Sequence, residues 1–288
     1  MFQGSGGVVV GSSWSGRPLV GVGWLAESLG EDGVVVVDAS VGAHRGVARR
    51  IAGARPFDLD GAFSDHAAAA PHTMPGAAAF TAAVRGLGID DTSTVVVYDG
   101  AGIYSSARAW WMLRAMGFDR AAVLDGGLPA WEAAGLPVEA APAAYDGPPG
   151  TFTARPRPGL FVDSAAVTAA LADPARAAVL DARTRERFAG TAPEPRPGLR
   201  GGHMPGALSL PFGDLQRNGA MLPDAELRAA FRASAADRER LYVSCGSGVT
   251  ACVLALGAVL AGYPDPAVYD GSWSEWGMPG ELPVATGP

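Results

Sequence analysis

The amino-acid sequence predicts an α/β protein built from two tandem domains of the same kind, each a mostly parallel β-sheet flanked by helices. Three observations support this prediction. The chain of 288 residues is long enough for two hydrophobic cores, its halves resemble each other, and short apolar runs alternate with helical patterns in both. The run AELRAAFRAS, residues 225–234, has the apolar spacing of an amphipathic helix that covers a sheet.

The internal repeat defines the elements of each half. Residues 94–131, TVVVYDGAGIYSSARAWWMLRAMGFDRAAVLDGGLPAW, align with residues 240–276, RLYVSCGSGVTACVLALGAVLAGYPDPAVYDGSWSEW. In both, an apolar strand meets a glycine-rich turn, an apolar helix follows, and a second strand ends in LDGG or YDGS before a tryptophan. Upstream, VVVVDAS aligns with AAVLDAR and IAGA with MPGA. Each half is therefore predicted to be one copy of the same unit.

The domain boundaries follow from this repeat. Residues 1–16 are rich in glycine and serine and carry no periodic pattern, so they are expected to form a flexible extension. The first domain is predicted over residues 17–139 and the second over residues 160–288. Residues 140–159, rich in proline, alanine and glycine, are predicted to link them.

The amino-acid composition limits the binding partners and the cellular compartment that are expected. The chain has 22 Lys and Arg against 29 Asp and Glu, so no broad basic face for nucleic acid or an anionic membrane is expected. Two cysteines cannot form a disulfide framework, and four scattered histidines do not form a metal-ligand pattern. The longest apolar run, residues 251–263, is too short to span a bilayer, and no secretion signal is recognisable. A cytoplasmic protein without a metal is expected.

The two copies differ at the turn between strand and helix, where the second copy has Cys245 and the first has Asp99. Successive backbone N–H groups that open a helix form an anion cradle, and Gly246 and Gly248 let the chain curl around it. A cysteine at the start of such a loop is expected to react as a thiolate. Cys245 is therefore predicted to be a nucleophile that the first copy lacks.

A structural role for Cys245 stays open from these residues alone, because cysteine is among the most buried residue types. Cys252 lies inside the apolar helical run and is predicted to be a core residue, with a resolving role as the alternative. No arginine or lysine occurs in the loop, which disfavours a cysteine phosphatase, since that chemistry needs a cation for the phosphoryl oxygens. A soft electrophile such as sulfur remains as the target.

The tandem domains and the motifs CGSGVTAC, DGSWSEW, HMPGA and RERFAGTAPEPRPG resemble the rhodanese-type sulfurtransferases, most closely the 3-mercaptopyruvate branch, over residues 19–275. In that family the N-terminal copy is silent, consistent with Asp99. The resemblance implies that Cys245 takes the sulfur of 3-mercaptopyruvate, releases pyruvate and holds the sulfur as a persulfide. A thiol acceptor such as thioredoxin or glutathione, or cyanide, then removes it. No cofactor is implied, because the sulfur travels on Cys245 itself.

The same resemblance implies the residues that bind the donor. Arg187 and Arg196 would hold its carboxylate and keto oxygen, a task that suits guanidinium forks. Arg183 and Arg185 are nearby alternatives. The loop residues expected to line the site are Gly246, Gly248, Val249 and Thr250.

A proton relay is implied as well, formed by Ser247, His72 and Asp60. A hydroxyl beside the nucleophile, a base and an orienting carboxylate make a coherent path for the thiol proton of the donor. His66 and Asp58 are alternatives for the last two positions. Since His72 and Asp60 belong to the first domain, the site is expected in the cleft between the domains.

Other motif residues are expected to be structural. His203 in HMPGA is assigned no catalytic role, and Asp181 and Asp270 are interpreted as turn or capping residues near the site.

Three functional hypotheses follow. The first is a sulfurtransferase with 3-mercaptopyruvate as donor. The second is a thiosulfate sulfurtransferase, which the neutral Gly246 and Ser247 disfavour because thiosulfate-preferring members carry basic residues there. The third is a module that only carries a persulfide received from elsewhere. The paired arginines and the relay discriminate, since a carrier needs neither.

Overall fold

Each half of the chain folds around a five-stranded parallel sheet in the computed structural model, which describes residues 16–140, 144–235, 238–263 and 265–288. The predicted α/β class and the tandem arrangement are confirmed. Residues 1–15 of the predicted extension and residues 141–143 of the predicted linker lie outside the described residues.

The first domain contains seven strands and four helices among the described residues. In chain order they are β1 Leu19–Val20, α1 Val22–Ser28, β2 Val34–Asp38, β3 Arg49–Ile51, β4 Arg55–Pro56, α2 Ala77–Gly86, β5 Thr94–Tyr98, α3 Ser106–Ala115, β6 Ala121–Leu124, α4 Gly127–Ala133 and β7 Val138–Ala140. A 3-10 turn spans Gly42–His44.

The second domain repeats this plan. Its described elements are β8 Phe161–Val162, α5 Ser164–Leu171, β9 Ala177–Asp181, α6 Arg185–Ala189, β10 Leu208–Ser209, β11 Gln216–Arg217, β12 Ala220–Met221, α7 Asp224–Ala235, β13 Arg240–Ser244, α8 Ala251–Ala261, β14 Ala267–Tyr269 and α9 Ser272–Trp276. A 3-10 turn spans Phe212–Leu215.

The two sheets have the same strand order. It is β1-β6-β5-β2-β4 in the first domain and β8-β14-β13-β9-β10 in the second, with β5 and β13 at the centre. Their neighbours pair with them in parallel, so the carboxyl ends of the strands meet at one edge of each sheet. Asp99 and Cys245 follow the central strands directly, at the edge where α/β sheets bind ligands.

Helix α8 packs against elements of both domains. An all-apolar helix is expected to be buried all round, and α8 packs on β13 and α7 of its own domain and on α3 of the other. Trp111 of α3 and Leu254 of α8 are both fully buried and belong to one hydrophobic cluster. The loops that precede these two helices therefore face each other across the domain interface.

The described part of the predicted linker, residues 144–159, contains neither helix nor strand but packs on the first domain. Phe152 is buried, with its ring centroid 6.0 Å from that of Phe80 and 5.8 Å from that of Phe118. Within the described part of the chain, none of the helices has the length and apolar character needed to cross a bilayer.

Candidate active site

Cys245 lies at the floor of a cavity of about 470 Å³ between the two domains. The residue is 1% exposed, and its backbone is held by α9: the Cys245 amide donates to Ser272 Oγ (3.2 Å) and the Trp273 amide donates to the Cys245 carbonyl (2.9 Å). The cavity is of the size that small-molecule sites usually have. A nucleophile here meets a small substrate and little bulk water.

The loop after Cys245 requires glycine at position 248 and accommodates the Arg187 guanidinium at position 246. Gly248 has φ +74°, and a Cβ there would lie 2.8 Å from the Asp270 carbonyl oxygen and 3.0 Å from Arg108 Nη1. A Cβ on Gly246 would lie 3.1 Å from Arg187 Nη2, so its absence allows that guanidinium to approach the loop. Gly246, Val249 and Thr250 line the cavity as predicted, whereas Gly248 does not, because its backbone lies against Asp270 and Arg108 instead.

The loop of the first copy, which has Asp99 in place of Cys245, shows what such a loop binds. The Asp99 carboxylate occupies the cradle of its own loop: Oδ2 accepts the amides of Tyr104 (2.9 Å), Ser105 (2.9 Å) and Ser106 (2.8 Å). In the second copy the equivalent amides of Thr250 and Ala251 have no acceptor among the described residues. The first cradle is filled by a side-chain anion, whereas the second is open to an anion on Cys245.

The three residues of the implied relay lie in one hydrogen-bonded row. His72 Nδ1 is 3.1 Å from Ser247 Oγ, and His72 Nε2 is 2.8 Å from Asp60 Oδ1. The row crosses from the second domain into the first. The alternatives lie elsewhere: His66 Nε2 bonds the Gly61 carbonyl, and Asp58 pairs with Arg45 at 2.8 Å.

Burial lowers the pKa of His72, because the imidazolium is poorly solvated between the domains; the charges of Arg108 and Arg196 act in the same direction, and the bond to Asp60 opposes them. The ring is therefore neutral near pH 7 and able to accept a proton. His72 also has φ 60°, a left-handed conformation that is uncommon for a residue with a Cβ and is enriched at active sites and ligand-binding segments.

Arg187 and Arg196 both line the cavity beside Cys245. Arg187, near the end of α6, pairs with Glu194, with 2.5 Å between Nη2 and Oε2. Arg196 donates from Nη1 to Ser274 Oγ (2.9 Å) and has no carboxylate partner among the described residues. The cavity therefore contains a cation that can bind a carboxylate ligand.

The alternative arginines do not reach the cavity. Arg183 has a fully buried side chain and pairs with Asp181 (2.6 Å) and Glu194 (2.8 Å). Arg185 is exposed and pairs with Asp214 on the surface. Asp181 thus neutralises a buried arginine in addition to accepting the amide of Arg183 at the turn.

Two polar side chains that line the cavity, those of Tyr104 and Glu194, are absent from the sequence-based set. Tyr104, from the silent loop, reaches the cavity with its ring 5.5 Å from that of Phe212, and burial raises the pKa of its hydroxyl. Glu194 is buried and bridges Arg183 and Arg187. Tyr104 aligns with Thr250 in the repeat, so the symmetry of the two loops was the signal that could have identified it.

Two further residues have structural environments. Cys252 is fully buried, its thiol donates to the Gly248 carbonyl (3.3 Å), and burial raises its pKa to about 12. His203 stacks on Phe188 and bonds its carbonyl at 2.9 Å. No cluster of three or more His, Cys, Asp or Glu side chains suited to a metal ion occurs within the described ranges.

The comparisons with known proteins concern the whole chain. The family of the Rhodanese-like domain matches the chain twice, over residues 21–134 and 164–278. The chain is 38% identical to the 3-mercaptopyruvate sulfurtransferase of Escherichia coli K12, over 92% of this chain and 96% of that protein. It is 39% identical to the mitochondrial thiosulfate/3-mercaptopyruvate sulfurtransferase 1 of Arabidopsis thaliana, over 93% of this chain and 78% of that protein.

A solved structure shares the whole architecture. The crystal structure of SseA from Escherichia coli, described as a 3-mercaptopyruvate sulfotransferase with the rhodanese fold, superposes with a TM-score of 0.79 at 36% identity. The match covers 90% of this chain and 100% of that chain.

Proposed function

Since the chain belongs to the rhodanese family and is a sulfurtransferase, we propose that it takes sulfur from 3-mercaptopyruvate and carries it on Cys245 as a persulfide. One observation carries this proposal. The Cys245 thiol, the Arg187 and Arg196 guanidinium groups and the Ser247–His72–Asp60 row line one cavity or bond directly into it.

Arg196 and Arg187 bind the carboxylate and keto oxygen of the donor, which places its thiol over Cys245. Arg196 supplies the charge, because its guanidinium has no carboxylate partner among the described residues. Arg187 is oriented by Glu194, whose charge is shared with the buried Arg183. Binding at two points fixes the C–S bond in line with Sγ.

Sulfur transfer then proceeds by attack of the Cys245 thiolate on the donor sulfur. An S–S bond forms, the C–S bond breaks, and its electron pair goes to the methylene carbon of the departing pyruvate enolate. The thiol proton moves through Ser247 to His72 and is delivered to that carbon, which gives pyruvate. The persulfide anion is stabilised by the open amide cradle.

An acceptor thiolate closes the cycle. It attacks the outer sulfur of the persulfide, forms a new S–S bond and restores the Cys245 thiolate. Glutathione and thioredoxin can supply this thiolate. Cyanide attacks the same outer sulfur through its carbon, forms a C–S bond and leaves as thiocyanate, which also restores the Cys245 thiolate. We place the enzyme in the reducing cytoplasm, which keeps the thiol available between turnovers.

Thiosulfate is the second candidate donor. The Arabidopsis relative is named for thiosulfate as well as 3-mercaptopyruvate, and the arginine pair also suits a dianion. Against it, Gly246 and Ser247 add no positive charge beside Cys245. A persulfide carrier is less well supported, because it needs neither the arginine pair nor the relay.

The test is an intact mass spectrum after brief exposure to 3-mercaptopyruvate without acceptor. We expect the wild type and Cys252→Ser to gain one sulfur atom, lost on adding a thiol, and Cys245→Ser to gain none. A gain with thiosulfate alone would reassign the donor. No gain with either donor would favour the carrier.

A further inference from the structure

We propose that the buried ion pair between Arg108 and Asp270 is a positioning device that holds His72 in the orientation required for proton transfer from the donor. Neither residue lines the cavity beside Cys245. The inference rests on the proposed function, because it assigns these residues to the step in which the relay removes the thiol proton.

Arg108 reaches from the first domain to both parts of the site. It lies on α3 with a fully buried side chain, its guanidinium 4.4 Å from the ring centroid of Phe161. Nη2 donates to Asp270 Oδ1 (2.7 Å) and to the His72 carbonyl, while Nη1 donates to the Gly248 carbonyl (3.3 Å). One guanidinium therefore contacts the relay segment and the nucleophile loop.

The ion pair holds the relay segment on two sides. Arg108 bonds the carbonyl of His72, and Asp270 Oδ2 accepts the amide of Met74 at 2.8 Å. Between these contacts the chain turns through the left-handed conformation of His72, which persists only where surrounding contacts impose it. Since the ring direction follows the backbone, these contacts determine whether Nδ1 meets Ser247.

The silent side of the interface provides an internal comparison. Asp125 aligns with Asp270 in the repeat and accepts the amide of Met221 across the interface at 2.9 Å. The position equivalent to Arg108 is Leu254, so this contact is made without an arginine. An aspartate alone therefore makes this contact between the domains, and an arginine is present only on the side that contains His72.

The role predicts a difference between two donors. 3-Mercaptopyruvate carries a thiol proton and needs the relay, whereas thiosulfate carries none. Displacement of His72 therefore slows sulfur transfer from 3-mercaptopyruvate more than sulfur transfer from thiosulfate. A contact that only stabilised the fold would affect both donors equally.

The experiment measures single-turnover persulfide formation by mass spectrometry with each donor, in the full-length chain. Arg108→Lys keeps the positive charge but loses the guanidinium group, whose two terminal nitrogens bond three acceptors at once. Asp270→Asn keeps an acceptor oxygen for the Met74 amide but loses the negative charge. We expect each variant to lower the rate of persulfide formation by about tenfold or more with 3-mercaptopyruvate and by less than about threefold with thiosulfate. The matched control Asp125→Asn, at the symmetric contact, should leave the donor ratio at the wild-type value.

A double variant tests the path of the effect. If Arg108 acts through the relay, Arg108→Lys combined with Ser247→Ala should be no slower with 3-mercaptopyruvate than Ser247→Ala alone. Equal losses with both donors, or losses that multiply, would overturn the inference. A wild type that gains no sulfur from 3-mercaptopyruvate would instead refute the proposed function and the inference with it. If Arg108→Lys does not fold by circular dichroism, Asp270→Asn alone decides.

Discussion

The burial of each arginine side chain and its carboxylate partner determine which arginine is available to a ligand in the cavity. Arg183, Arg185 and Arg187 lie within five residues of one another, yet the first is sealed in the core and the second is paired at the surface. Glu194 neutralises Arg183 and at the same time orients Arg187 at the edge of the cavity. A single buried carboxylate therefore supports one structural and one binding arginine.

Replacement of Arg187 or Arg196 by Ala is expected to lower kcat/KM for 3-mercaptopyruvate by about 10- to 100-fold. A hydrogen bond to a charged group contributes about 1.5–3 kcal/mol, and each variant removes at least one. The fold should persist, because Glu194 keeps Arg183 as its partner in Arg187→Ala. Steady-state kinetics and thermal melting check both expectations.

The surface variant Arg185→Ala serves as the control for this prediction, since it removes a charge from the same helix without reaching the cavity. Kinetics unchanged by Arg187→Ala would remove that residue from the donor site.

The lowered pKa of His72 predicts that the rate of persulfide formation from 3-mercaptopyruvate falls on the acid side of its pH profile, here called the acid limb. Its pKa is lowered below the ordinary 6.5, chiefly by burial, so the neutral ring is present at pH 7 and is lost as the pH falls through that lowered value. Protonated His72 cannot accept the thiol proton, so persulfide formation should slow as the pH falls through that lowered value. Stopped-flow or quenched single-turnover rates across pH 4.5–8 measure this limb.

Thiosulfate should show no such limb, because it brings no thiol proton. His66→Gln should leave the profile unchanged, since His66 bonds the Gly61 carbonyl and not Ser247. The same limb with both donors would assign the titration to another group.

Residues that carry recognisable motifs were predictable, and those whose role depends on the other domain were not. Cys245 stood out because it replaces Asp99 at a glycine-rich turn. Asp270 was interpreted as a turn residue, yet its carboxylate spans the interface to Arg108. The visible signal for Arg108 was a charge in an apolar helix at the position of Leu254, but sequence spacing does not say what lies opposite.

At the scale of elements, the same strand, loop and helix produces an open cradle in one domain and a filled one in the other. The Asp99 carboxylate satisfies three loop amides that would otherwise be buried without a partner. One of them belongs to Tyr104, whose ring lines the cavity with Cys245. The loop of the first domain thus forms part of the wall of the candidate site.

Asp99→Ala is expected to lower the free energy of unfolding by about 3 kcal/mol, because the amides of the silent loop lose a charged acceptor at a site that is 1% exposed. Asp99→Asn keeps an acceptor oxygen and should cost less. Urea unfolding of both variants measures the difference. Asp214→Ala, on the exposed surface, should change stability by no more than about 0.5 kcal/mol.

The periodicity of apolar residues predicted the central strands of the two sheets but not the short antiparallel strand pairs. β2, β5, β9 and β13 lie where the repeat predicts them. The antiparallel pairs β3–β7 and β11–β12 have two or three residues per strand, too few for a periodic pattern. Their pairing depends on contacts between segments that are distant along the chain.

At the scale of the whole molecule, one hydrophobic cluster extends through both domains, in addition to a separate cluster within each domain. The largest buried cluster runs from α2 and β5 of the first domain through α3 into α8 and β13 of the second. The active site depends on this continuity, because Ser247 and His72 come from different domains and are 3.1 Å apart. Independent opening of one domain would separate the relay from the nucleophile.

A shared core predicts that the two domains unfold together. Val84 on α2 is fully buried, and Val84→Ala should cost about 2 kcal/mol from lost burial and the cavity that remains. If opening is global, the most protected amides of α8 in the other domain should lose the same free energy of exchange as those of α2. Native-state hydrogen exchange measures both sets of amides in one experiment. Protection retained in α8 while α2 loses it would show two independent units, and the relay would then be held by the interface contacts of Arg108 and Asp270 rather than by a common core.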